Sequence, residues 1–201
     1  ETLQVEALSR EGQAFRYQGE TYRIPMVGDY QVRNAATAIE VVEALRRGGW
    51  SISREALHEG LARAVWPGRM ELARRSPDLI LDGGHNPQCM EAVARSLGQL
   101  YPGKKIHFLL GVLADKDYPA MVRPLLPLAH DFYTLTPDSP RALSARDLAK
   151  YLEEQGVQAT PCADARAGVE QMLARCGPEE VCCACGSLYL VGELRHLLGL
   201  C

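Results

Sequence analysis

No apolar run in this sequence approaches the ~20 residues that a membrane-spanning helix requires, so an integral membrane protein is not expected. No basic stretch followed by an apolar segment opens the chain, and no secretory signal is visible. Charge of one sign is not in excess either. The 22 Lys and Arg against 25 Asp and Glu leave a net charge of -3 and a pI of about 6.0. Binding to nucleic acid through bulk electrostatics is therefore not indicated. Two phosphate-binding signatures are missing. Gly-x-x-x-x-Gly-Lys-Ser/Thr occurs nowhere, since Pro102-Gly103-Lys104-Lys105 lacks both the first glycine and the hydroxyl. Gly-x-Gly-x-x-Gly after a strand is absent too, which leaves a standard dinucleotide fold unsupported. The seven cysteines are an odd number without the spacing of a disulfide scaffold, and they point to a reducing, cytoplasmic setting.

What is present is ordinary globular composition, with 47% hydrophobic and 23% charged residues over 201 positions. That is enough for one large domain or one and a half small ones. Residues 1–25 alternate in short segments around Leu3–Leu8, Ala14–Tyr17 and Thr21–Ile24, which reads as antiparallel strands joined by hairpins. From Val32 the period turns helical, with Val32, Ala35, Ala36, Ile39, Val42 and Leu45 on one face and Gly48-Gly49 as the stop. A second helix is expected over 53–62. Trp66-Pro67-Gly68 then breaks the pattern, and a domain boundary is placed there, giving domains 1–65 and 66–201.

After the break, strands and helices alternate strictly. Strands are expected at Leu79–Leu81, Ile106–Leu110, Phe132–Leu135, Val157–Thr160 and Val181–Cys185. Helices are expected between them: one with Met90, Val93, Ala94, Leu97 and Leu100 inward, one near 119–126, one opened by Ser144-Ala145-Arg146-Asp147 and one at about 165–175, with a last one from Ser187 to about Leu198. This α/β order predicts a mostly parallel, doubly wound sheet covered on both faces.

In such sheets, ligands bind outside the carboxyl ends of the strands, where helix N-termini point at them. Those ends carry Asp82-Gly83-Gly84-His85-Asn86, Gly111 with Asp115-Lys116-Asp117, Asp138 with Arg141, and Gly186-Ser187. The mixture suits a nucleotide plus a charged small molecule. Each residue also has a structural reading. Asn86 before Pro87 is a strong helix N-cap, the glycines serve tight turns, and Asp115-Lys116-Asp117 reads equally as a solvated charge run. Cys182-Cys183-Ala184-Cys185 is read as small side chains filling a central strand. Alternation divides its thiols between two faces, and no second Cys/His cluster completes a metal site. No metal ligands are expected in the chain.

Taken in order, Gly28-Asp29-Tyr30-Gln31-Val32-Arg33-Asn34-Ala35-Ala36, Trp66-Pro67-Gly68-Arg69, Asp82-Gly83-Gly84-His85-Asn86, Gly111–Asp117 and Gly186–Glu193 resemble the C-terminal half of the folylpolyglutamate synthase/dihydrofolate synthase family, relatives of the Mur ligases. Tyr30 stands where that family usually has histidine, and Gly84 where it usually has alanine. The family's N-terminal half, with its phosphate-binding loop and magnesium ligands, has no counterpart in these residues. The resemblance implies a Mur-ligase C-terminal, Rossmann-like domain preceded by the hairpin and helical tail of a central ATPase domain. It implies an ATP- and Mg2+-dependent ligase that joins L-glutamate to a folate or dihydropteroate carboxylate through an acyl phosphate. The partners would be those small molecules, with no nucleic acid or membrane and the protein acting as a monomer. By the same resemblance, Asn34 would meet the adenine of ATP, Arg69 its phosphates and Asp82 its ribose. Lys116 and Ser187 would hold the glutamate carboxylates, with His85 as the nearby catalytic group. The competing expectation is a stand-alone Rossmann-like module that binds a nucleotide or amino acid without chemistry.

Overall fold

The computed structural model describes residues 3–200, which form two compact units, one ending at Pro67 and one beginning at Gly68. Among the described residues no helix is long and apolar enough to cross a membrane.

In the first unit, β1 (Gln4–Ser9), β2 (Gly12–Tyr17) and β3 (Glu20–Ile24) form an antiparallel meander. Gln18 and Gly19 both take positive φ, at 50° and 83°, the conformation a two-residue hairpin needs to match the strand twist. Period-two alternation sends Phe15, Tyr22 and Ile24 to one face. There they pack on Val32, Ala35 and Ile39 of α1 (Asp29–Arg47) and on Leu57 and Leu61 of α2 (Arg54–Ala62). Buried Gln13 donates from Nε2 to the carbonyls of Gly28 (2.7 Å) and Met26 (3.0 Å), fixing the entry to α1. That helix begins three residues before Val32. Leu45, expected on its apolar face, is 38% exposed because it lies past the end of the sheet-facing stripe.

The second unit is a six-stranded sheet in the order β4-β5-β9-β6-β7-β8. Its strands are β4 (Glu71–Arg74), β5 (Asp78–Leu81), β6 (Ile106–Leu110), β7 (Ala129–Thr134), β8 (Ala159–Pro161) and β9 (Val181–Cys185). All pairings are parallel except β4 with β5, so the α/β expectation stands, with one antiparallel edge added. The helices are α3 (Pro87–Leu100), α4 (Tyr118–Val122), α5 (Ala145–Glu154), α6 (Ala165–Arg175) and α7 (Leu188–Leu197). The helix expected over 119–126 stops at Val122, because Pro124 and Pro127 have no N–H to donate and the chain turns instead.

Connection order decides which face each helix covers. The chain steps from β5 through β6 and β7 to β8 in one direction, then returns across the sheet to β9. With right-handed crossovers, the return places α6 on the opposite face from α3, α4 and α5. Accordingly, α6 and α7 share a core with Leu79, Leu109, Tyr133, Cys182 and Ala184. The alternate residues Ile80, Phe108, Phe132 and Cys183 face the other way, and Phe108 and Phe132 stack at 5.3 Å between ring centroids.

Candidate functional site

The helix after β9 lies on one face, while the helices after its neighbours β5 and β6 lie on the other. The loops leaving these three strands therefore diverge, and the crevice between them is the switch point where open α/β sheets bind ligands. Glycines let the three strand ends approach closely. Gly186 has φ +102° and donates to the Gly84 carbonyl at 3.1 Å; a Cβ on it would lie 2.7 Å from the Gly111 carbonyl oxygen.

Asp82, at the end of β5, is 2% exposed. Its Oδ1 accepts from the Gly84 N–H (2.7 Å) and its Oδ2 from the Met70 N–H (2.8 Å). These bonds take two of the roughly four acceptor positions of a carboxylate and fix its direction. The Met70 contact ties Asp82 to the turn that carries Arg69. Gly68 and Met70 both have positive φ, at 69° and 46°, and the Gly83 N–H closes the turn onto the Gly68 carbonyl at 2.8 Å. For Met70 that backbone is unusual and is held by its neighbours. Arg69, half-buried, donates from Nη1 to the Gly68 carbonyl at 3.2 Å. A Cβ on Gly83 would fall 2.6 Å from that Nη1 and 2.3 Å from Leu188 Cδ2, so the guanidinium crosses bare backbone at the end of β5. Glu71 completes the support, accepting from the Gly68 N–H at 2.7 Å through Oε2 and pairing with Arg195 of α7 through Oε1.

His85 is half-buried, with Nδ1 2.9 Å from the Gly83 carbonyl oxygen. A carbonyl only accepts, so Nδ1 carries the proton and Nε2 is left as the acceptor of the neutral ring. Asn86 acts as an N-cap, its Oδ1 accepting from the Cys89 N–H at 2.9 Å ahead of Pro87.

The charge run after β6 resolves into three separate jobs. Asp115 pairs with Arg141 at 2.8 Å, and Asp117 caps α4 by accepting from the Ala120 N–H at 3.1 Å. Lys116 between them is half-buried, and its ammonium has no hydrogen-bond or ion-pair partner among the described residues. Ser187, 2% exposed, caps α7 by accepting from the Tyr189 N–H at 3.1 Å. The unpaired N–H groups of a helix start lie beside it.

The structure thus brings Arg69, Asp82 and His85 together on and around the end of β5, puts Ser187 on the adjoining strand end, and leaves Lys116 on the loop after β6. Asn34 belongs to the first unit, where it is exposed on α1 and donates to Gln31 Oε1 at 3.0 Å. Three further features escaped sequence reasoning. Met70 and Glu71 support Arg69 through contacts that only the fold creates, and Leu188 and Tyr189 stand half-exposed at the start of α7. On the next turn, burial together with Asp164 and Asp138 holds the Glu193 carboxyl above its ordinary pKa.

Residues 68–188 match the family model of the Mur ligase, glutamate ligase domain. The dihydrofolate synthase/folylpolyglutamate synthase of Bacillus subtilis is 33% identical over 180 residues, covering 89% of this chain and 41% of that enzyme. The solved folylpolyglutamate synthase of Mycobacterium tuberculosis, complexed with ADP and AMPPCP, superposes with a TM-score of 0.85 at 26% identity, over 99% of this chain and 47% of that one. The bifunctional folylpolyglutamate synthase/dihydrofolate synthase from Yersinia pestis, complexed with AMPPNP and a Mn ion, gives a TM-score of 0.78 at 27% identity, over 93% of this chain and 44% of that one. The chain spans less than half the length of each of these proteins.

Proposed function

Because the chain belongs to the Mur ligase family through its glutamate ligase domain, we propose that it is the glutamate-side part of an ATP-dependent folylpolyglutamate/dihydrofolate synthase. In that reaction the carboxylate of a pteroyl substrate attacks the γ-phosphorus of ATP, releasing ADP and leaving an acyl phosphate. The amine of L-glutamate then attacks the acyl carbon, an amide forms, and inorganic phosphate departs. A divalent metal, magnesium in the cell, supplies charge neutralisation on the phosphates. Among the described residues, the rim gathers no trio of carboxylates able to hold such an ion: Asp82 is engaged by backbone amides, Asp115 by Arg141 and Asp117 by its helix. On this reading the metal ligands lie in the complementary half of the ligase.

This chain contributes positioning and charge. Arg69 meets the phosphates with a fork that can donate bidentately, Asp82 accepts from the ribose hydroxyls, and Asn34 meets the adenine. Lys116 and the start of α7 at Ser187 hold the carboxylates of glutamate, an anion site of ammonium and helix N-terminus combined. His85 Nε2 takes the proton that the attacking amine loses.

The observation that carries the reading is Lys116, a half-buried cation left unpaired between two acids that are both committed elsewhere. In the complete enzyme, Lys116→Ala should raise the KM for glutamate roughly 10- to 100-fold, the loss of one charge-assisted contact of about 1.5–3 kcal/mol, with the KM for ATP unchanged. An unaltered glutamate KM would remove Lys116 from the glutamate site.

A further inference from the structure

At the opposite ends of the same strands lies a second polar cluster that the ligase reaction does not use. Strands β9, β6 and β7 run side by side, and their register sets Cys182 beside His107 and His107 beside Asp131. The three side chains form one row on the face covered by α6, and they are 0%, 3% and 5% exposed. Where α6 ends at Arg175, the chain turns through Cys176 to Glu180 before entering β9. That turn adds two more donors. Cys176 Sγ lies 2.9 Å from Cys182 Sγ, and Glu180 Oε2 lies 3.4 Å from His107 Nε2.

The state of His107 gives the cluster its meaning. Its Nδ1 is 2.8 Å from Asp131 Oδ1. The carboxylate accepts, so Nδ1 carries a proton, and in the neutral ring Nε2 is then a lone pair free to bind a cation. That Nε2 is buried and makes no hydrogen bond. It shares a space with Cys176 Sγ and a Glu180 oxygen, the three atoms lying within 4.8 Å of one another. The imidazole nitrogen, the Cys176 sulfur and the Glu180 carboxylate thus form one set of three donors, with Cys182 Sγ behind that of Cys176. Imidazole, thiolate and carboxylate around one point match the ligands of a tetrahedral zinc ion. A histidine whose other nitrogen is held by a buried carboxylate is oriented as metal-bound histidines are. The carbonyl end of α6 adds partial negative charge beside the site.

We infer that His107, Cys176 and Glu180 bind one divalent cation of the zinc class, with Cys182, whose sulfur touches that of Cys176, moving in as the fourth ligand and Asp131 positioning His107. On binding, both thiols become thiolates and release their protons to solvent. Two sulfurs on a tetrahedral ion with ~2.3 Å bonds stand roughly 3.7 Å apart, so the pair opens slightly. Cys176 can give way because it lies in the loop and not in the sheet. The ion pins the α6–β9 connection to the two strands beside it. It also changes the reading of Cys182, whose partners come from six residues upstream and from another strand rather than from its own Cys-rich run.

The test uses the intact protein, purified reduced and without chelator. Metal content is measured by plasma mass spectrometry, and the stripped protein is titrated with cobalt(II), then with zinc as competitor. One equivalent of cobalt showing tetrahedral d–d bands and a thiolate-to-cobalt charge-transfer band, displaced by zinc, is the expected result. Cys176→Ser, half-buried outside the sheet, should weaken the charge-transfer band and lower zinc affinity at least tenfold. Asp131→Asn should lower it roughly 10- to 100-fold, and Cys183→Ser on the other face should change neither. Failure of the reduced wild type to take up cobalt or zinc overturns the assignment, and so does a cobalt spectrum unaffected by Cys176→Ser. Recovery of a Cys176–Cys182 disulfide in protein that, once reduced, binds no cation would overturn it as well.

Discussion

The guanidinium of Arg69 rests where a side chain on Gly83 would have to go, and this makes the two residues a matched pair of probes. In the complete ligase, Arg69→Ala should cost on the order of 2–4 kcal/mol of transition-state stabilisation, or roughly two to three decades in kcat, because phosphate charge is in transit when the contact matters most. Lysine keeps the charge without the fork and should rescue poorly. If Arg69 only anchors its turn, lysine serves nearly as well and melting temperature falls in place of turnover. Measuring kcat and Tm for both variants separates the two roles. Gly83→Ala should imitate the loss of Arg69 with little effect on stability, since its methyl meets side-chain atoms and no backbone, Arg69 Nη1 and the Cδ2 and Cγ of half-exposed Leu188; a wild-type kcat in that variant would mean the guanidinium works from another position. Much of this rim was legible in the sequence. Asp82, His85, Lys116 and Ser187 stand out because strand ends of an α/β sheet are where polar residues and glycines have no packing reason to collect. Arg69 came from family resemblance alone. Its supports were not legible, since the positive φ of Met70 depends on an amide contact to Asp82, and Glu71 finds Arg195 across 124 residues.

Helix α7 and the strand end before it show how elements convert sequence into a site. Gly186 must adopt φ +102°, and any Cβ there meets the Gly111 carbonyl, which is backbone and cannot rotate away. Gly186→Ala should therefore lose roughly 1–3 kcal/mol of stability, read as a lower denaturation midpoint at unchanged m-value. Glu193, on the same helix, gives a pH signature. Partial desolvation of this surface carboxyl first, then Asp164 and Asp138, raise its folded-state pKa above the unfolded value. The protonated form is thus favoured by folding, and the stability it contributes is complete below the unfolded pKa and lost as pH rises through the folded one. Glu193→Gln should raise Tm at neutral pH and leave it unchanged in acid below the ordinary carboxylate range; a gain that persists in acid would point to packing instead of charge. Elements with an unambiguous period were readable directly. The five-residue apolar run Ile106–Leu110 is β6, and Ala165–Arg175 is α6 to the residue. β4 was not readable, because Glu71–Arg74 is a short, half-polar edge strand paired with β5.

At the scale of the whole molecule, the two compact units each carry their own core. Phe15, Ile39 and Leu57 anchor one, and Leu79, Leu109, Met172 and Leu194 anchor one face of the other. Between them Val65 and Trp66 are 76% and 67% exposed, the kind of segment where proteases cut and where few contacts hold the chain. A polypeptide of residues 68–201 should therefore fold by itself, with a single cooperative thermal transition and the thiols of Cys183 and Cys185 protected until unfolding. It should nevertheless form no amide from ATP, glutamate and a pteroate, and neither should all 201 residues. The reason is chemical. In the proposed reaction Arg69, Lys116 and the start of α7 would hold phosphates and glutamate, but γ-phosphoryl transfer also needs a backbone cradle for the phosphates and a metal, and these residues supply neither. The sequence has no Gly-Lys-Ser/Thr loop, and of the rim carboxylates Asp82, Asp115 and Asp117 are committed to amides, an arginine and a helix cap. Product formation by either polypeptide, assayed with purified protein and isotopically labelled glutamate, would mean that phosphate activation takes place on this sheet and that its rim has been assigned too small a share of the reaction.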